Sequence, residues 1–360
     1  MFTSTKGPAR AVSPGRIIQR ELDERGWTQN DLADVMGRPS QAISEIINGK
    51  KQITAETALE LGEAFGVDAA FWSSLQSSYN LQQARRNLDK HEVARRSRLY
   101  TATPLAELIK RGWVAVTRKS PIGEQEAAVC RFLCIPKIGT APKLAVSFRS
   151  SEHRGPEWSA KVAWAKRVEQ LAAPVVDKLP AFSAAALRKK IPALLKLSES
   201  EEGVAAVPPF LAKLGIGFII LPHLPKTYLD GAILPVDGHP VVALSLRYDR
   251  IDNFWFTLLH EIAHCLEGHY VFIEQNGSDE DDADRQAAEW LLPTAEFEAF
   301  VARSGPRFTL AEIERFAKTL KRHPGIVVGQ LQRRLDGFGY SNGRSALVKV
   351  RHALAPYIHS

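Results

Sequence analysis

The run RIDNFWFTLLHEIAHCLEGH, residues 250–269, decides how the rest of the chain is read. Within it stand His260, Glu261 and His264. On an α-helix, residues four apart are separated by about 40° around the axis, so both imidazoles can face one metal ion. Glu261 lies beside them, where a carboxylate can take a proton from an activated water and return it to a leaving amine. Cys265 is turned about 100° from His264 on the same helix and is read as a buried structural thiol.

Bulk properties narrow the context. A chain of 360 residues implies roughly two to three domains. Its 47 basic and 40 acidic residues, net charge +7, favour solubility and weakly favour an anionic partner, so any claim on DNA must come from a motif. No run approaches the roughly 18 apolar residues of a membrane span, and residues 1–15 lack the apolar core of a signal peptide. The expectation is a cytoplasmic chain with no membrane partner. Three cysteines, Cys130, Cys134 and Cys265, are too few for a disulfide framework and agree with a reducing compartment.

Upstream, residues 1–13 lack periodicity and are expected to form a disordered tail. From Pro14, Ile17, Ile18 and Leu22 give an apolar stripe that Gly26 closes, and Thr28 caps a second helix. Gln29-x-x-Leu32-Ala33-x-x-x-Gly37, then Ile43-Ser44 and Ile46-Ile47-Asn48-Gly49, has the spacing of a helix-turn-helix, a short helix, a tight turn and a helix for the major groove. With Ala42, Ile43, Ile46 and Ile47 turned inward, Ser40, Gln41, Ser44, Glu45 and Asn48 remain for base edges and nearby phosphates, flanked by Arg38, Lys50 and Lys51. Gln29, at a helix start, is placed to hold a phosphate. Helices at 54–65 and from 68 to about 79 complete a five-helix DNA-binding domain over 14–80. Trp27-Thr28-Gln29, the run from Gln41 to Lys50 and Phe71-Trp72 resemble the XRE-type helix-turn-helix, and more closely the HigA-like antitoxin repressors. The resemblance implies a homodimer on operator DNA and raises a cognate toxin as a further partner.

Residues 81–207 are expected to be a mostly helical connecting region. It holds a basic helix at 81–99, a short helix at 104–112 before Trp113, and an extended segment near 144–148, with no catalytic spacing. Trp158 and Trp164 suit core packing or docking. The metal domain is assigned to 208–305, where apolar runs at 217–221, 231–234 and 241–246, the last two joined by Asp237-Gly238, form a small sheet before the histidine helix. An edge strand of that sheet can pair with an extended peptide. The fold class is thus mainly α with a small β-sheet, α+β, and residues 306–360 form a helical extension that docks on the metal domain.

Two histidines need a third protein ligand, with a fourth position open. The acidic run at 279–284 is the nearest source, although acids there also suit the first turn of a helix. Ala283, Ala287, Trp290 and Leu291 mark a buried face, and Glu280 lies one turn upstream, so Glu280 is the chosen ligand and Asp282 the alternative. Asp284 is placed to orient a ligand histidine. His260-Glu261-x-x-His264 followed by Glu280-x-x-x-Asp284-x-x-Ala287-Ala288-x-x-Leu291-x-Pro293 resembles the ImmA/IrrE metallopeptidases, with a gluzincin-like Glu-x-x-x-Asp. Gly112-Trp113, the run from Leu244 to His260 and 324–329 resemble the subgroup fused to a HigA-like repressor. This chain departs at Asp282, where relatives have Glu, and at Gln286, where they have an aromatic. The resemblance implies a zincin-like peptidase acting on a protein, either a repressor or an antitoxin. The ligand set suits zinc, with manganese as second choice. His223, His239, His269, Tyr270 and His323 are the oxyanion candidates by residue type. Two readings stay open, a regulator that cuts a protein and a non-catalytic HigA-like repressor whose metal site senses or docks.

Overall fold

In the computed structural model, the described residues are 12–87, 90–142, 156–268, 277–305, 307–335 and 343–359. They group into two compact units, Met1–Ala94 and Arg95–Ser360.

Glycines in left-handed backbone punctuate the first unit. Gly26, Gly37 and Gly66 have φ of 66°, 61° and 67° and end α1 (Pro14–Arg25), α2 (Gln29–Met36) and α4 (Ala55–Phe65), a conformation that costs glycine least. Thr28 starts α2 with a capping box, its N–H donating to Asp31 Oδ2 at 2.6 Å while its Oγ1 accepts from the Asp31 N–H at 3.2 Å. Between them, α3 (Ser40–Ile47) passes so close to α1 that a Cβ on Gly15 would sit on the Ile47 carbonyl. Ile18, Leu22, Leu32, Ile43, Ile46, Leu61 and Trp72 form one core. The fifth helix, α5 (Ala69–Asn87), outruns its expected end, because no glycine or proline interrupts residues 68–103. The expected basic stretch at 81–99 is helical on both sides of residues 88–89, which lie outside the described residues, in α5 and in α6 (Lys90–Ala102), and the unit boundary falls within α6.

In the second unit, α7 (Leu105–Lys110), α8 (Ile122–Leu133), α9 (Pro156–Val176), α10 (Ala184–Lys196) and α11 (Glu202–Ala212) precede a three-stranded sheet. Its strands are β1 (Gly217–Ile220), β2 (Gly231–Val236) and β3 (His239–Leu244), in the order β1-β3-β2. β2 and β3 form the expected hairpin, with Asp237 and Gly238 both at positive φ in the turn, while β1 runs parallel to β3 with Gly217 opposite Val241.

The sheet is buried on both faces. Phe218, Ile220, Ile233 and Val242 join the core that contains α12 (Ile251–Glu267), whereas Ile219, Leu221, Leu234 and Ala243 join a second core with Ala163, Trp164 and Val168 of α9. Trp164 Nε1 donates to the Leu221 carbonyl at 2.9 Å. The region expected to be a connection therefore supplies one layer of the metal-domain fold. Near-continuous apolar strands require cover on both sides. The extended segment expected at 144–148 lies outside the described residues.

After α12 come α13 (Gly277–Leu291), α14 (Thr294–Ser304), α15 (Leu310–Leu320) and α16 (Pro324–Arg334). Arg322 gathers the ends of α10, α13 and α15 by donating to the carbonyls of Leu195, Trp290, Leu291, Leu320 and Lys321. Farther on, Asp249 Oδ1 accepts the backbone N–H groups of Val350 and Arg351, and Ile358 bridges Ile220 of β1. Among the described residues no helix is long and apolar enough to cross a membrane.

Candidate metal centre and recognition helix

The helix α12 presses Phe254, Trp255, Leu258, Leu259 and Ile262 into the core, which leaves the other phase to carry polar chemistry. His264 and Glu261 are nonetheless buried, and His260 is largely so. Helix α13 lies against α12, and its contact residues Ala283 and Ala287 are small and buried, so the two backbones approach closely. Glu280, one turn ahead of Ala283, then reaches both histidines. Its Oε1 lies 3.1 Å from His264 Nε2, its Oε2 3.3 Å from His260 Nε2, and the two Nε2 atoms are 3.1 Å apart. One ligand atom from each of these residues falls within 4.8 Å of the others, a gathering of two imidazoles and one carboxylate that fits a divalent ion of zinc type.

Asp284 Oδ1 sits 2.8 Å from His260 Nδ1, which fixes the ring with Nε2 towards the cluster. Asp282 is not brought in. It pairs with Arg285 at 2.8 Å and lines a hollow of about 500 Å³ with Arg188 and Trp290 that reaches His264 of the cluster.

Charges in the cluster are strongly coupled. Burial opposes ionisation of Glu280, yet its bonds to both histidines hold it down at about 2. Burial also works against a charged His260, but Asp284, Glu280 and the Glu261 charge raise it to about 10. Glu261 is pushed up to about 7, first by burial, with the charges of Glu280 and Asp230 adding and that of His260 opposing.

The Glu261 carboxylate owes its place to Gly231, the first residue of β2. A Cβ there would lie 2.7 Å from both Glu261 Oε1 and Thr257 Cγ2. Gly231, Glu261 and His260 share a cleft of about 310 Å³ with Tyr228, Asp230 and Arg333. No motif or spacing in the sequence assigns Gly231, Tyr228, Asp230 or Arg333 to the site. A glycine opening a strand is a signal for Gly231, whereas Arg333 arrives from α16 with no spacing to announce it. Of the oxyanion candidates, His239 Nδ1 is 2.9 Å from the Gly215 carbonyl and His323 caps α16 by accepting the Gly325 N–H. Both are occupied with backbone. His223 is half-buried and does not line the cleft. His269 and Tyr270 lie outside the described residues.

On the first unit, α3 buries Ile43 and Ile46 and exposes Ser40, Gln41, Asn48, Lys50 and Lys51, with Ser44 and Glu45 half-buried. Gln41 Nε2 donates to Glu45 Oε1 at 3.3 Å and Asn48 Nδ2 to the Ser44 carbonyl at 2.8 Å, so this face is ordered by its own residues. Gln29 Nε2 is 3.5 Å from Gln19 Oε1. Arg38 differs from its expected part as a flanking cation, since its guanidinium is taken by Glu60 of α4 at 2.6 Å.

The family model described as helix-turn-helix matches residues 18–72, and that described as IrrE N-terminal-like domain matches residues 213–336. Virulence-associated protein A' of Dichelobacter nodosus is 41% identical over 71 residues, covering 19% of this chain and 62% of that protein. The uncharacterized HTH-type transcriptional regulator YddM of Escherichia coli K12 is 33% identical over 88 residues, 24% of this chain and 90% of YddM. A solved structure of the antitoxin HigA of Pseudomonas aeruginosa with the higBA promoter is 33% identical, covering 21% of this chain and 83% of that one, at a TM-score of 0.20. All three likenesses involve about a quarter of this chain or less. The chain belongs to the helix-turn-helix transcriptional regulators and carries beyond that unit a peptidase-type IrrE N-terminal-like domain.

Proposed function

We propose that this regulator binds operator DNA as a homodimer through α3 and that its second unit is a zinc-dependent endopeptidase, acting in the cytoplasm on a repressor or antitoxin. The observation that carries the peptidase half is Glu261, a buried carboxylate beside three converging ligand atoms, on the wall of an open cleft. A site that only holds an ion has no use for such a group.

His260, His264 and Glu280 would hold the ion, Asp284 would orient His260, and manganese is the second metal the set accepts. When bound, the ion supplies Lewis acidity, polarising a carbonyl and bringing a coordinated water's pKa toward about 7. The protein's part is proton handling and alignment. Glu261, raised above the ordinary carboxylate range by burial, is placed to accept a proton from water and to return it to the departing amine. Among the described strands β2 pairs only with β3, so its outer edge offers backbone groups to an extended peptide directly above Gly231.

The test compares the wild type with Glu261→Gln, using proteins encoded beside its gene as substrates and metal analysis of both preparations. Cleavage is expected to fall by about 10²–10⁴-fold while one equivalent of metal is retained. Undiminished cleavage by the variant removes Glu261 from the mechanism. A wild type that keeps its metal but cuts nothing favours the sensing or docking role, with a cognate toxin then the partner to seek.

A further inference from the structure

Among the charged residues that line the cleft, the peptidase reading leaves Asp230 and Arg333 unused, and Arg333 is the cation of the two. Arg333 projects from α16 and lays its guanidinium carbon 3.4 Å from the centre of the Phe256 ring. Phe256 stands one helical turn before His260 on α12, with the two rings 6.4 Å apart. The base of α16 is rigidly seated, since Arg250 bridges Asp252 and Gln332 and a Cβ on Gly329 would collide with Asp252. A guanidinium over an aromatic face leaves the N–H donors at the edge of its own plane free for a planar acceptor.

Three carboxylates are near enough for their charges to bear on Arg333, namely Asp284, Asp252 and Asp230. Each has another partner. Asp284 meets His260 at 2.8 Å, Asp252 meets Arg250 at 2.7 Å and Asp230 meets Arg247 at 3.7 Å. Among the described residues no carboxylate lies within ion-pair distance of Arg333, although the cleft around it is acidic. An exposed arginine of merely structural purpose would be expected to take one of these neighbours.

We infer that Arg333 is a specificity-determining residue that receives the carboxylate of an aspartate or glutamate flanking the scissile bond. This rests on the peptidase reading. The position suits it. One helical turn is about 5.4 Å and an extended peptide advances about 3.3 Å per residue, so a guanidinium one turn from His260 meets a side chain one or two residues from the bond at the metal. Planar, bidentate capture of a carboxylate is the recognition for which arginine's fork is shaped.

The probes are two short peptide hydroxamates, which bind through the metal and differ only in carrying glutamate or glutamine next to the chelating group, with a lysine version as third. Each is titrated by calorimetry into the zinc-loaded full chain bearing Glu261→Gln, so that nothing is cut. The glutamate probe is expected to bind about tenfold tighter than the glutamine probe, which corresponds to roughly 1.4 kcal/mol. Arg333→Met, which keeps an apolar cover on Phe256, is expected to remove that preference and leave the glutamine probe unaffected, and Arg333→Glu to favour the lysine probe. Circular dichroism and metal content establish that both variants are folded and loaded. Equal affinities for the first two probes, or a preference that survives Arg333→Met, overturn the inference and leave the peptidase reading standing. Discrimination by Arg333 in a wild type that cleaves no protein sinks the peptidase reading and with it the scissile-bond part of the inference, and leaves Arg333 only as the carboxylate-binding residue of the cleft. Failure of the chain to take up zinc removes both.

Discussion

His260 and Glu261 are adjacent in sequence and need opposite things of a proton. His260 must be neutral to bind a metal, yet without one its carboxylate neighbours hold it charged up to about pH 10. Metal and proton therefore compete for one ring. At pH 8, well below that value, zinc uptake is expected to release about one proton from His260, so apparent affinity should rise about tenfold per pH unit from 7.5 to 9 and flatten above 10. Calorimetric titration in two buffers of different ionisation enthalpy reads the proton directly. Heats that do not depend on buffer would show that His260 is already neutral. At this scale the sequence was readable wherever helical phase sufficed, since spacing joins His260 to His264 and the alanine face of α13 points to Glu280. Gly231 and Arg333 were not, because each meets the site across the fold rather than along a helix.

The first two helices of the first unit are legible down to their ends, whereas α5 runs past its expected end near residue 79. Thr28 capped where a hydroxyl was expected, and Gly26 and Gly37 closed the helices before and after it. What the pattern could not supply is which charges are already spent. Arg38 is held by Glu60 from α4, a pairing 22 residues away that no local spacing encodes. In the proposed reading, base contacts by α3 fall on Gln41 and Ser44 and phosphate contact on Lys50, while Lys51 is paired with Glu45 at 3.6 Å. Replacing Gln41 and Ser44 together by alanine is expected to cost about 1–3 kcal/mol per lost base contact and to relax sequence preference, measured by gel shift against operator and scrambled DNA. Because Gln41 is exposed and Ser44 loses only its bond from Asn48 Nδ2 at 3.2 Å, stability should change little. Equal operator affinity would remove α3 from its assigned part.

Across the molecule, the two units have separate hydrophobic cores, one closed around Trp72 and Leu22 and the other built on both faces of the sheet. The second of these was only half legible. The strands and the histidine helix announce themselves by apolar runs and spacing, but helix content alone does not say that α9 covers the sheet rather than connecting two domains. Separate cores predict separate melting. Zinc at about 100 times its dissociation constant should stabilise the second unit by roughly 2.7 kcal/mol and leave the first transition where it was, as followed by scanning calorimetry with and without metal. A single transition that moves as a whole would mean that the units unfold together.

The tie between Asp249 and residues 350 and 351, and the bridge from Ile358 to Ile220, also set an order in time. A ribosome releases the N-terminal part first, at about 5–20 residues per second. All the residues that build the first core have been made by the time Ala94 is added, whereas the bridge from Ile358 to the edge of β1 can form only once the last residues are made. For roughly 15–50 s of every synthesis, each new copy is a folded helix-turn-helix unit trailing an unfinished second unit.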